Sequence, residues 1–268
     1  MASFIRYVQL SVGRLVTDSH FITFSIRRRS EDTQADGTIQ VYNLSPTNEK
    51  RISERGLPVV LNAGYLRPSR SVAEIFRGDV VRFERQRIGN DRVSVIHVGN
   101  EVMKQTAATL ERTYAGPVRT RVVVRDLANA LGLPYSGLEN VPNAVINDTR
   151  ISGLVTDNLR TVLRNVDARF YIDGGVVYFT RVGARIRPSE SAGARIVVSQ
   201  SSGMIGTPTV TDDGIRVRTI LEHRINLGST IRVISIGESL GVFKVVEIEH
   251  AGDNRQGEFT TLVEGRPL

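Results

Sequence analysis

Most of this chain is written as short alternations of apolar and polar residues, each closed by turn residues. A period of two puts every second side chain on the same face, so such segments bury their apolar residues only as strands with one covered face. In Thr38 to Tyr42, Ile39 and Val41 share a face. Between Val80 and Val98, the pairs Val81, Phe83 and Val93, Val95 flank a Gly89-Asn90-Asp91 turn, which predicts a hairpin. Ser45, Pro46 and Gly56 bracket the intervening stretch as a capping serine, a first-turn proline and a terminating glycine, so a short helix is expected over Thr47 to Arg55. Residues 1–105 therefore read as a β-domain of six or seven strands carrying one small helix.

Near residue 118 the period changes. Val123, Leu127, Ala130 and Leu131 follow helical spacing until Gly132 and Pro134 stop the helix. A second helix is expected from Ser152 to about Val166, with Leu154, Val155, Leu159, Val162, Leu163 and Val166 as its apolar stripe. Arg169 to Ile172, the Asp173-Gly174-Gly175 turn and Val176 to Phe179 then predict a hairpin. Residues 106–190 form a small α+β module ending in a polar linker, Pro188 to Gly193. In residues 191–268 the period of two returns: Ile231 and Val233, a Gly237 to Gly241 turn, Phe243 and Val245, and finally Phe259, Thr261 and Val263. The fold class expected is β-rich α+β, with two antiparallel β-barrel-like domains flanking a helix-helix-hairpin module. A length of 268 residues suits two or three such domains. So many short strands also imply closed barrels, or edges covered by neighbouring subunits.

The chain has no cysteine, which excludes disulfides, zinc-thiolate sites, iron-sulfur clusters and thiol catalysis. Arg6, Gln9 and Arg14 interrupt the apolar N-terminus, so no cleaved signal peptide is expected, and no stretch reaches the roughly 20 apolar residues of a membrane-spanning helix. Lys and Arg number 35 against 28 Asp and Glu, and the only lysines are Lys50, Lys104 and Lys244. Arginine suits packed bidentate ion pairs as well as phosphate contacts, so charge alone does not select nucleic acid. The run Arg27-Arg28-Arg29, followed by Glu31 and Asp32, reads as a solvated or salt-bridged strand end, with a phosphate or partner patch as the alternative.

No residue pattern carries chemistry. His20, His97, His223 and His250 are far apart, none in a metal-ligand spacing, so no metal, cofactor or catalytic residue is expected. His250 and Asp253 resemble a dyad but end a strand at a glycine turn, where both types are common for conformational reasons. Asp212-Asp213-Gly214 and Glu31-Asp32 read as turn and loop. Phe83 among Arg82, Arg85 and Arg87 is the nearest approach to a single-strand nucleic-acid face, and reads better as a core aromatic alternating with exposed arginines.

The order of motifs is more informative. IQVYNLSPTNEKRISERGLPVVLNAGY (39–65) followed by IFRGDVVRFERQR (75–87) resembles the opening β-domain of phage baseplate hub proteins, the tail-hub family of contractile-tailed phages. SQSSGMIGTPTVTDDGIRVRTILEHRINLGSTIRV (199–233) and GVFKVVEIEHAGDNRQGEFTTLVEG (241–265) resemble the closing domain of the same family. The resemblance implies a structural, non-enzymatic protein of the virion baseplate, assembled in the host cytoplasm. It implies a homotrimer with two similar barrels per subunit, which adapts a sixfold tail tube to a threefold central spike and forms part of the DNA channel. Tail tube protein, spike and other baseplate proteins would be its partners, with DNA met only in transit and no stable membrane insertion. No peptidase or lysozyme-like extension is expected, so no lysin activity carries over. The alternatives are a nucleic-acid-binding β-barrel protein and a baseplate-associated cell-wall hydrolase.

Overall fold

The computed structural model describes residues 5–30, 36–67, 71–99, 108–173, 176–181, 196–211 and 213–267. These fall into two compact units, one of residues 108–181 and one holding the rest. The 188–193 linker, Glu31, Asp32, Asp212 and the Gly174-Gly175 turn lie outside the described residues.

The larger unit begins with β1 (Ile5–Val12), β2 (Leu15–Thr17), β3 (Ile22–Arg29), β4 (Asp36–Tyr42), α1 (Pro46–Ile52), β5 (Pro58–Arg67), β6 (Ser71–Ile88) and β7 (Asp91–Gly99). Helix α1 starts as its sequence dictates: the Ser45 side chain accepts from Asn48 N at 3.3 Å, and Pro46 occupies the first turn. Alternation drives the strands. Ile22, Phe24 and Ile26 of β3, Ile39 and Val41 of β4, and Leu10 and Val12 of β1 all point into one buried core.

The second unit holds β8 (Arg112–Arg119), α2 (Thr120–Leu131), β9 (Tyr135–Ser136), β10 (Val145–Ile151), α3 (Val155–Arg164), β11 (Ala168–Asp173) and β12 (Val176–Arg181). Helix α2 ends where expected, with Gly132 left-handed at φ 70° and donating to Asn129 O. On α3 the residues Val155, Leu159, Val162 and Leu163 are buried, whereas Leu154 lies at the N-cap and is exposed. The β8–β10 pair, with bulged register at Asn147/Thr149, was not expected from the sequence.

The chain then returns to the larger unit as β13 (Ile196–Val198), β14 (Met204–Thr211), β15 (Gly214–Ile220), β16 (Thr230–Ser235), β17 (Glu238–Asp253) and β18 (Phe259–Pro267). The β16–β17 turn is Ile236-Gly237, with φ of 52° and 81°, and not the expected 237–241. Positive φ at both central residues is what a tight hairpin needs, but a β-branched residue is a poor signal for it.

The two β segments repeat one pattern. Apart from the short β2, the first runs β3-β4-β7-β6-β5-β1 across its sheet and the second β14-β15-β18-β17-β16-β13. Strand by strand in chain order these correspond, except that β1 pairs antiparallel and β13 parallel with its neighbour. The match extends to single hydrogen bonds. Gly56 N donates to Val80 O at 2.8 Å and Val80 N to Leu57 O at 2.9 Å; at the matching places Gly228 N donates to Val245 O and Val245 N to Ser229 O, both at 2.9 Å. Both glycines are left-handed, at φ 82° and 76°. A bulge follows at once in each long strand, between Val80 and Arg82 in β6 and between Val245 and Glu247 in β17. Aligned on it, Arg82 to Ile88 correspond to Glu247 to Asp253.

These segments are not two closed barrels. Among the described residues β1 and β3 do not pair, nor do β13 and β14, and all the strands of the larger unit join in one 13-stranded sheet. The reason lies in the length of β17. Its first half pairs with β16 and its second half, Glu247 to Asp253, pairs antiparallel with β3. Phe259 and Leu221 of the second segment then complete the core of the first, with Phe259 edge-on to Phe24 and Tyr65 at 6.0 and 5.3 Å. Replacing Phe259 by alanine is expected to cost about 3–5 kcal/mol, because neighbours on three strands cannot close the gap. Urea unfolding followed by circular dichroism checks it.

Candidate interaction surface

The joint between β3 and β17 is crossed by polar side-chain contacts. Arg27 and Arg29 both ion-pair with Glu247, the latter through Nε at 2.8 Å, and Ser25 Oγ donates to Glu249 Oε1 at 3.1 Å. The Arg27-Arg28-Arg29 run is thus salt-bridged at a strand end. At its end Asn254 Oδ1 accepts from Ile22 N at 3.0 Å, while its Nδ2 donates to His20 O at 2.7 Å. Arg6 donates to Gly257 O at 2.8 Å and lies over the Phe259 ring.

His250 sits at the centre of this joint, fully buried. Its Nδ1 is 2.9 Å from Thr261 Oγ1 and its Nε2 is 3.5 Å from an Arg28 guanidinium nitrogen. A guanidinium only donates, so Nε2 accepts and Nδ1 carries the proton toward Thr261. Burial, then the Arg28 charge, then His223 hold its pKa well below the ordinary histidine value. The His250-Asp253 pair of the sequence is not brought together. Asp253 Oδ1 instead accepts from Arg255 N at 2.7 Å and from Gln256 N at 2.5 Å, closing the turn.

The other sequence candidates are equally placed by structure. His20 Nδ1 meets Thr17 Oγ1 at 2.6 Å, and His97 Nε2 meets Glu84 Oε1 at 3.1 Å. Phe83 packs against the first core with the Arg85 guanidinium 5.1 Å from its ring centre. Arg85 and Arg92 converge on Glu49 at 3.1 and 3.0 Å, and Ser94 Oγ approaches the same carboxylate at 3.5 Å. Glu49, buried on α1, is the residue sequence reasoning missed; a first-turn acid on an exposed-looking helix carries no signal of burial. In the second unit Tyr114 donates to Asp126 Oδ2 at 2.6 Å, and burial with this bond pushes its pKa up to about 12, so it stays a neutral donor. Among the described residues no group of three His, Asp or Glu side chains could hold a metal ion.

Several strand edges of the larger unit carry no partner strand among the described residues, among them the outer sides of β14, β2 and β13 and the outer side of β6 beyond its bulge, where β5 has ended. On β14, Ile205 and Val210 are exposed, and on β6 the residues Arg85 to Ile88 are exposed. The repeated modules, the salt-bridged seam and the open sheet edges together define a β-rich protein.

Comparison with known proteins agrees. Residues 7–265 match the family model described as "Baseplate hub gp41", and the chain belongs to that family, whose proteins are phage tail components. No curated protein matches the sequence. The fold is similar to the 43 kDa tail protein of prophage MuSo2 from Shewanella oneidensis, at 8% identity and a TM-score of 0.67 over 98% of both chains. It is similar to a tail protein of Neisseria meningitidis MC58, at 10% identity and a TM-score of 0.63 over 97% of this chain and 96% of that one. It is also similar to the E. coli c3393 protein, a type VI secretion component, at 11% identity and a TM-score of 0.61 over 97% of this chain and 76% of that one.

His250 sets a pH dependence. Its folded-state pKa lies below the unfolded value of about 6.5, so the neutral ring's stabilisation is complete above that pH and is lost as pH falls through it toward the folded value. The expected slope for this one proton is about 1.4 kcal/mol per pH unit. Denaturant unfolding from pH 7.5 to 5 should show less of this loss in His250→Gln than in the wild type.

Proposed function

We propose that the chain is the structural, non-enzymatic hub at the centre of a phage-tail baseplate, working as a homotrimer. Three chains with two repeated modules each present six similar surfaces to a tail tube on one side, and threefold symmetry to a central spike on the other. The ring surrounds the channel through which DNA passes in transit. The hub assembles in the host cytoplasm and acts in the virion, with other baseplate proteins around it.

The observation that carries this reading is the repeated strand order, matched down to the Gly56–Val80 and Gly228–Val245 hydrogen bonds and the bulges after them. A chain serving one symmetry has no need of the same module twice. Family membership over residues 7–265 points the same way. Against a nucleic-acid-binding protein, the arginines of the basic strands are engaged with Glu49, Glu84 and Glu247.

Mixed with its tube and spike partners at low salt, the chain is expected to give three copies per spike trimer by light scattering, each contact burying more than about 1,000 Å². Raising salt should weaken the exposed arginine pairs and favour the monomer. One copy per spike trimer, or a dimer in every condition, would refute the hub.

A further inference from the structure

The two modules match in strand order but differ on one outward face. Aligned on Gly56 and Gly228, β5 corresponds to β16 and the first half of β6 to the first half of β17. Val59 and Leu61, like Ile231 and Val233, are buried, so the residues alternating with them point outward. In the first module that face is largely polar. Asn62 donates to Gln9 and Gln9 to Tyr7, both at 3.3 Å, and Arg77 pairs with Glu74. In the second module Ile234 stands at the place of Asn62 and Val242 at that of Arg77, with Val197 beside them on β13. The bulge residues differ as well. Ile75 of β6 is 2% exposed within the first core, whereas Leu240, at the matching bulge of β17, is 38% exposed.

We propose that this outward face of β13, β16 and the first half of β17 seats a segment of a different baseplate protein, apolar and carrying a carboxylate. Arg232 sets the charge of the occupant. It stands exposed on β16 between Val197 of β13 and Val242 of β17, its neighbours in the two ladders. Arg27, Arg29 and Arg216 have carboxylates beside them, whereas Arg232 meets none among the described residues. A segment that covers the two valines also takes water away from the guanidinium between them. It therefore has to supply the acceptor that the water supplied, and a carboxylate does so with two parallel hydrogen bonds.

The tip of the β16–β17 hairpin supports the assignment independently. Ile236, two residues beyond Ile234, has φ 52° and is 83% exposed. Asparagine there would relieve the left-handed backbone and complete the favoured Asn-Gly turn with Gly237, at little loss of packing within the chain. The strained isoleucine thus serves a contact outside its own chain, and it lengthens the apolar strip of Ile234 and Leu240. Two copies meeting face to face would set Arg232 against Arg232, which excludes a symmetric self-contact. A sixfold tube meets both modules alike, yet the first module has Val60 at the place of Arg232 and Asn62 at that of Ile234. The seat occurs once per chain, hence three times in a trimer.

This inference rests on the baseplate hub proposed above and names a surface and a partner chemistry for it. The native chain has no cysteine, so a single engineered thiol reports alone. Ile236→Cys and Val197→Cys chains are labelled with a maleimide, free and in purified tails, and labelling is expected to slow about tenfold or more in tails. In tails whose Leu240 is replaced by photo-reactive benzoylphenylalanine, irradiation is expected to join the chain to a protein that is neither tube nor hub. Arg232→Glu should remove that cross-link and Arg232→Lys should retain it. Ile236→Asn should raise the unfolding temperature of the free chain while lowering the cross-link yield about tenfold. Equal labelling in both states, a cross-link to the tube or to a second hub, or one that survives Arg232→Glu overturns the seat. So does an Ile236→Asn chain that unfolds at a lower temperature. Each of these leaves the hub reading standing, whereas absence of the chain from purified tails overturns both.

Discussion

The architecture of the larger unit depends on the pairing of β3 with the second half of β17. Strands about 220 residues apart in sequence meet there, as the Arg27–Glu247 and Arg28–His250 contacts record. Ordering so long an intervening chain costs loop entropy that grows only slowly with length, so the joint needs to supply a modest, specific gain. Burial supplies it: Leu221 and Phe259 enter the first core, and His250 is withdrawn from water only because Thr261 and Arg28 meet both ring nitrogens. Leaving that ring buried without either partner would cost more than the bonds themselves contribute.

The bulge after Val80 and after Val245 is what makes such a joint available. An extra residue bends a long strand and increases its twist, so its two halves serve different neighbours. Gly56 and Gly228 sit opposite, and their left-handed backbone lets the preceding segment turn in and donate to Val80 O and Val245 O. A side chain at either position would be strained by its φ alone. The same local device therefore appears twice, and in β17 it frees the second half of the strand to pair with β3.

Local chemistry was legible in the sequence and long-range pairing was not. Ser45 and Pro46 announced α1, Gly132 the end of α2, and the alternation of Phe259, Thr261 and Val263 the buried face of β18, because each is decided by neighbours in sequence. The residue-to-residue joining of two segments into one sheet has no local signature, so they read as separate barrels. The Ile236-Gly237 turn was misplaced because isoleucine at φ 52° runs against its own preference, and that cost is accepted by the hairpin as a whole. Glu49 was invisible for a related reason: its burial is created by Arg85, Arg92 and Ser94, which come from two other strands.

Arginine richness finds its explanation in the same seams. An exposed pair such as Arg216–Glu264, between β15 and β18, adds little stability, since its guanidinium remains largely hydrated. Its effect is on pairing: a guanidinium fork spanning two strands favours one register and penalises its neighbours. In a sheet assembled from segments far apart in the chain, hydrophobic alternation alone permits slips by two residues, because every second side chain still faces inward. Glu247 held between Arg27 and Arg29 removes that freedom at the joint, and Glu49 held by Arg85 and Arg92 fixes α1 against β6 and β7. Where a strand's neighbour comes from far along the chain, arginine specifies the register that apolar contacts leave open.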